Sequence, residues 1–312
     1  MMDIPNERSS HKTATPRGGG LAISALTLVA VLMYGLLNPN ANLQVVLAYG
    51  VGGALIAWVG WLDDKYNLPS RQRFAVQAVS ALIAIAGISY WQRVTLPLVG
   101  TLEIGILGLP LTVFWIVGLV NAYNFMDGID GLAGSAAVIA GLFWAYASGF
   151  NGGFVTLLAI AIAGNSLGFL GHNWSPAKIF MGDVGSTFLG YSFAVIPLML
   201  PQREITGVTA ALIIWSFILD TSFTIIRRWR RGENILLPHR THLYQRLVIA
   251  GYSHRFVTTI YIAFMMIGWL SAAVWLSSPG ASGLYACVIP LVVFGLYVAF
   301  VQRQESLVAN RA

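Results

Sequence analysis

Asn121-Ala-Tyr-Asn-Phe-Met-Asp-Gly-Ile-Asp-Gly-Leu-Ala-Gly134 joins two long apolar runs, 106–123 and 132–149, and its reading decides the fold. Asp127 and Asp130 stand three residues apart, a spacing that places both carboxylates on one face of a helical turn. A charged group facing lipid costs roughly 3 kcal/mol on insertion scales, so these two should face protein or water. Gly128, Gly131 and Gly134 leave room for a ligand's phosphates to approach the backbone. The plainer alternative is a polar turn whose carboxylates cap the next helix.

Outward from this stretch, the 312 residues are 57% hydrophobic and only 10% charged, with mean hydropathy +0.72. That composition excludes a soluble domain and predicts an all-α integral membrane protein. Ten apolar runs are candidate spans: 21–37, 43–62, 74–90, 106–123, 132–149, 154–172, 184–200, 206–226, 256–276 and 283–301. The expectation is one polytopic domain over 1–312. It has a first loop at 1–20, a bundle of about ten transmembrane helices within 21–301, and a tail at 302–312. The segment 91–105 is expected to begin a small hairpin, and Cys287 to be a lone thiol with no disulfide or metal role.

Loops on alternate sides differ sharply. Of the 18 Lys and Arg, only Arg93 and Arg203 fall on one side. The positive-inside rule then makes the termini and the 63–73, 124–131, 173–183 and 227–255 loops cytoplasmic. All seven aspartates also lie in or near those segments, which orientation does not require. A divalent cation is one reason to gather carboxylates on one face. The net charge of +6 reflects this loop bias and does not point to nucleic acid.

The cytoplasmic loops read as parts for diphosphate chemistry. Mg²⁺ takes one or two carboxylates plus phosphate oxygens, which Asp63, Asp64 and Asp183 can supply, and basic and glycine-rich segments hold the remaining phosphate charge. The adjacent Asp63 and Asp64 should titrate as a coupled pair, one acting as a base. His239 and His242 suit phosphate hydrogen bonding better than a zinc site with no third ligand. Taken singly, the Arg227–Arg231 cluster reads as a lipid anchor, Trp174 and Phe180 as interfacial aromatics, and Asp220 as a buried tether between helices.

Five ordered stretches carry a resemblance: Ser10-His-Lys-Thr-Ala-Thr-Pro-Arg-Gly-Gly-Gly20, Asp63-Asp64, the opening stretch, Phe180-Met-Gly-Asp-Val-Gly-Ser186 and Pro238-His-Arg-Thr-His-Leu-Tyr-Gln-Arg-Leu247. Together they resemble the polyprenyl-phosphate N-acetylhexosamine-1-phosphate transferases, relatives of phospho-MurNAc-pentapeptide translocase. The resemblance implies transfer of a sugar 1-phosphate from a UDP-N-acetylhexosamine to undecaprenyl phosphate, with release of UMP. Mg²⁺ is the implied cofactor, with Mn²⁺ as a substitute. The implied location is the bacterial inner (cytoplasmic) membrane, multi-pass, with the active site in the cytoplasmic loops; a homodimer is compatible with it.

By motif, Asp63 and Asp64 hold or activate the lipid phosphate and Asp183 binds the metal. Lys12, Asn121, Asn124, Asp127, Asp130, Asn173 and Phe180 belong to the nucleotide-sugar site, with Phe180 stacking on uracil. His239, Arg240 and His242 come from the fifth loop. Asn67 stands where the translocase pattern has lysine, so Arg71 or Arg73 supplies that charge. The fifth loop resembles the O-antigen-initiating branch that uses UDP-GlcNAc, UDP-QuiNAc or UDP-FucNAc. Family members usually carry a span ahead of the first loop, and this sequence begins at that loop. The alternative functions are a secondary transporter or lipid-linked sugar flippase, and a non-catalytic sensor of the same ligands.

Overall fold

The computed structural model describes residues 2–3, 14–151, 153–201, 203–235, 237, 239–278 and 281–309. Twelve α-helices carry it: α1 Gly20–Leu37, α2 Leu43–Tyr66, α3 Ser70–Gly87, α4 Gly108–Phe125, α5 Leu132–Ala147, α6 Phe154–Asn173, α7 Asp183–Met199, α8 Arg203–Ile213, α9 Trp215–Arg230, α10 Leu243–Ile249, α11 His254–Ser277 and α12 Ala281–Ala309. Strands β1 (Met2–Asp3) and β2 (Thr15–Pro16) pair antiparallel. Strands β3 (Arg93–Leu96) and β4 (Gly100–Glu103) form the expected hairpin, closed by a Thr95–Thr101 hydroxyl bond of 2.8 Å.

Each of the ten apolar runs is helical, but they are not ten equivalent spans. Six helices have the length and apolarity to cross a bilayer, and a seventh results if α8 and α9 count as one. That pair breaks by 78° at Ile214, within what the sequence offers as a single run. Helices α5 (16 residues) and α7 (17 residues) fall short. So does α3, whose first turn contains Arg71 and Arg73. The reason is position. Helix α7 is buried on every side from Val184 to Leu198, against α2 and α4, so protein rather than lipid sets its length.

Close packing around α7 uses small residues and internal hydrogen bonds. Gly20 of α1 and Gly185 of α7 meet backbone to backbone, where any Cβ would collide. Deeper in, the Tyr49 and Ser192 hydroxyls are 2.7 Å apart, and Ser192 donates to Phe188 O one turn back. This core sets one end of the bundle, where the ends of α2, α4, α6 and α9 meet the starts of α1, α3, α5, α7, α10 and α11.

Candidate active site

Helix α2 ends on Asp63-Asp-Lys-Tyr66 and stops because Asn67 adopts the left-handed conformation (φ 52°). The reversal lets Asp63 Oδ1 accept from Leu68 N–H at 2.7 Å, and Asp63 Oδ2 pairs with Arg73 Nη1 at 2.7 Å. The same Arg73 nitrogen lies 3.6 Å from Asp183 Oδ2. Of the two arginines the sequence offers, Arg73 therefore supplies the charge at the carboxylates. Arg71 is exposed and makes no such contact.

The two aspartates have different roles. Asp64 Oδ1 accepts from Asp183 N–H (2.9 Å) and Oδ2 from Val184 N–H (3.1 Å), so Asp64 caps α7 from a neighbouring helix. Its side chain is 0% exposed, and Arg17 Nη1 lies 3.6 Å away. Gly182 makes the approach possible. Its φ is +77°, and a Cβ there would sit 2.6 Å from Asp64 Oδ2. Asp64 thus lacks the free oxygen expected of a base, whereas the Asp183 side chain stays 26% exposed. Burial, the hydrogen bond with Asp63 and the charges of Asp64 and Asp63 push the Asp183 carboxyl well above the ordinary range, against Arg17.

The glycines serve packing rather than phosphate binding. Gly18 and Gly19 N–H both donate to Phe180 O, and Gly20 N–H donates to Met181 O, stitching the first loop to the fourth. Gly128 lies against the Tyr244 hydroxyl, and Gly131 N–H donates to Asn173 Oδ1 at 2.9 Å. Asn173 also donates to Ile179 O at 2.9 Å, so each end of its amide helps to hold the loops together. Asn121 donates to Gln77 Oε1 on α3, and Asn124 Oδ1 accepts from Ser186 on α7. Both are helix ties. Phe180 is half-buried, its backbone paired with Arg17. Lys12 lies outside the described residues.

Asp130 is also a tie. Its Oδ2 accepts from Ala177 N–H (3.1 Å), its Oδ1 lies 3.2 Å from His254 Nδ1, and Thr258 donates to its carbonyl. Burial raises its pKa, but the hydrogen bond and charge of His254 and the Ala177 N–H outweigh that and leave it below the ordinary value. A lowered folded pKa makes its contribution complete above about pH 4, and lost as pH falls through the lowered value. The melting temperature of Asp130→Asn should therefore fall below wild type at pH 6. The gap should narrow as the pH falls below the ordinary carboxylate range, through the lowered value at which the wild-type carboxylate takes up its proton. A constant gap in a pH series of thermal melts would remove Asp130 from this role. The Asp127 carboxyl, by contrast, makes no hydrogen bond or ion pair among the described residues, while its backbone N–H donates to Asn124 O at 3.1 Å. Burial and the Asp64 charge raise its pKa well above the usual range, with Arg17 opposing.

The fifth loop is organised by Asp220, the tether expected from sequence. Fully buried, it accepts from Leu243 N–H (2.9 Å) and Tyr244 N–H (3.3 Å), from Tyr261, and faces His242 Nδ1 at 3.3 Å. It thereby caps α10 as Asp64 caps α7. His242 is 2% exposed and engaged here, so it positions the loop rather than meeting a substrate. His239 is half-buried beside Thr241, and burial, His242 and Arg228 push its pKa down to about 4, which keeps the ring neutral at neutral pH. Arg240 is partly exposed beside it. Arg228 is buried against Glu233 and two carbonyls, so it is structural. Tyr244 donates to Phe125 O at 2.9 Å and docks the fifth loop on the third.

All five loops thus converge, and Arg17, Tyr244 and His254, to which the sequence reading gave no role, do much of the joining beside the expected Arg73 and Asp220. Among the described residues no group of three or more His, Cys, Asp or Glu forms a closed metal site. An open arrangement of one or two carboxylates is nonetheless what Mg²⁺ requires beside a phosphate ligand. Asp183 and Asp63 fit it, since a cation already bridges them in the form of Arg73.

A probable undecaprenyl-phosphate N-acetylglucosaminyl 1-phosphate transferase of Bacillus subtilis is 37% identical over 288 residues, 88% of this chain and 79% of its own. A decaprenyl-phosphate N-acetylglucosaminephosphotransferase of Mycolicibacterium smegmatis is 33% identical, covering 93% of this chain and 80% of its own. A phospho-N-acetylmuramoyl-pentapeptide-transferase of a Synechococcus species is 34% identical, covering 79% and 75%. Residues 43–201, from the start of α2 to the end of α7, match glycosyl transferase family 4, and with these relatives the match makes this chain a multi-pass membrane member of that family of polyprenyl-phosphate N-acetylhexosamine-1-phosphate transferases.

Proposed function

We propose that this protein transfers N-acetylglucosamine 1-phosphate from UDP-GlcNAc to undecaprenyl phosphate and releases UMP. The observation that carries the reading is the juxtaposition of Asp183, Asp63 and Arg73, with Arg17 beside them, at the meeting point of five loops. The names of the relatives favour GlcNAc, and none mentions O-antigen or lipopolysaccharide. The split of basic residues supports a cytoplasmic site within a ten-span arrangement, some of whose helices are shielded from lipid.

In the reaction, an oxygen of the acceptor phosphate attacks the phosphorus that bears the sugar. A new P–O bond forms, and the bond to the UMP oxygen breaks. A phosphate monoester has its second pKa near about 6, so the acceptor is largely dianionic at neutral pH and needs little help from a base. That suits a site whose paired aspartates are both hydrogen-bonded. Arg73 and Arg17 offset phosphate charge and orient the two anions. Asp183 and Asp63 would hold Mg²⁺, which supplies neutralisation of the diphosphate charge. Asp127, unpaired and raised in pKa, is placed to hydrogen-bond a substrate hydroxyl or phosphate.

Purified protein incubated with undecaprenyl phosphate, Mg²⁺ and a panel of UDP-GlcNAc, UDP-QuiNAc and UDP-FucNAc should release UMP fastest with UDP-GlcNAc. No UMP release with any donor would overturn the transferase reading in favour of a transporter, flippase or sensor. Release only with another donor would correct the sugar.

A further inference from the structure

A groove of about 580 Å³ runs between α1 and α6, outside the site described above. Ala22 and Leu26 line it from α1, and Gly164, Gly168 and Phe169 from α6. A Cβ placed on Gly164 or Gly168 would meet nothing within 4 Å, so the glycines border open space rather than a packed neighbour. From Gly164 to His172 the groove follows α6 for about 12 Å, at 1.5 Å per residue. Leu26 and Leu167, near its edges, are 55% and 61% exposed, as on a surface that faces lipid chains. At the far end Asn165 donates to Thr27 at 3.1 Å, so its amide is satisfied within the protein.

The end nearest the loops carries the charge of Lys178. His172 and Lys178 both line it, and Lys178 N–H donates to His172 O at 2.8 Å, which holds the two residues together at the mouth. Both side chains are exposed, and among the described residues neither forms an ion pair and no carboxylate lines the groove. An apolar trough with an unneutralised cationic mouth is complementary to an amphiphile with an anionic head.

The groove is separate from the carboxylates. In the extended stretch Thr15–Arg17 successive side chains alternate, so Pro16 lines the groove while Arg17 turns to Asp64. On α1, likewise, Gly20 faces α7 while Ala22 and Leu26 face the groove. An acceptor whose phosphate rested on Lys178 would be on the wrong face of that stretch to reach Asp183. We propose that the α1–α6 groove binds an anionic phospholipid, its acyl chain along Leu26, Gly164 and Gly168 and its phosphate held by Lys178 and His172. The occupant touches the 174–182 segment that leads into Asp183, and so couples the bilayer to the loop carrying Phe180.

The test uses the full chain in nanodiscs containing phosphatidylglycerol or phosphatidylcholine, each with a photoactivatable group on the acyl chain. The assay needs no turnover, so it stands or falls independently of the donor and acceptor. The phosphatidylglycerol probe should label residues within 22–26 and 164–169, roughly fivefold more than the phosphatidylcholine probe, from about one Lys–headgroup interaction. Lys178→Glu, a change on an exposed loop that leaves packing alone, should abolish that preference. Gly168→Trp should remove labelling of the groove by filling it. Equal labelling by the two probes, labelling confined to other helices, or a preference that survives Lys178→Glu would overturn the proposal. Displacement of the probe by undecaprenyl phosphate would overturn it too, and would assign the groove to the acceptor.

Discussion

Asp183→Asn is expected to lower turnover by ~10²–10³-fold while leaving the melting temperature close to wild type. The carboxylate is the most open of the three at the α2–α7 junction, and its pKa is raised by burial and by its two acidic neighbours. Three carboxylates cannot all remain ionised at such separations unless cations stand among them. Arg73 and Arg17 are two of these, and under the proposed function Mg²⁺ would be a third. An amide keeps the shape of the side chain but loses the charge that a hard cation needs. The fold should survive, because α7 is capped by Asp64 and not by Asp183 itself. Removal of the metal with a chelator should reproduce the loss in wild type and add little to the variant. If Asp183→Asn kept near wild-type turnover and an unchanged Mg²⁺ requirement, Asp183 would not be the ligand.

Asp64→Asn should behave differently, with activity and stability falling together. Asp64 receives two backbone N–H bonds at the head of α7, and the amide can accept only one. Its NH₂ would instead confront the other donor inside a fully buried pocket. Losing one charge-assisted hydrogen bond and leaving a buried N–H unpaired costs roughly 2–3 kcal/mol, or about 5–10 °C in melting temperature. Since the cap also sets where Asp183 stands, turnover should fall without a compensating change in the KM for donor. On sequence alone, Asp63 and Asp64 look equivalent, a pair that holds or activates the lipid phosphate, with Asp130 in the nucleotide-sugar site. The structure separates them. Thermal melts alongside steady-state kinetics decide: a large loss of kcat with an unaltered melting temperature would return Asp64 to direct chemistry.

The paired Asp63 and Asp64 show how little neighbourhood in sequence says about role. On a helix successive residues point about 100° apart, so one faces Arg73 and the second loop while the other faces α7. His242 and Asn173 teach the same lesson. Residue type and motif mark them as belonging to the site, but their hydrogen bonds show them to be supports. Asp130 joins them through Ala177 and through His254, 47 and 124 positions away, pairings that no local pattern encodes.

What the sequence determined by itself is the membrane class, the helical content, the β3–β4 hairpin, the family and the set of loops that gather at one end of the bundle. These follow from apolar run length, the bias of basic residues and ordered motifs, all of which are local or compositional. Tertiary structure alone decided which helices meet lipid, since burial of α7 and α5 depends on what surrounds them and not on their own hydropathy. It decided the break at Ile214, where no proline or charge marks the run. It also decided which carboxylates remain open to a ligand, because an aspartate's role depends on which donors from distant segments reach its oxygens first.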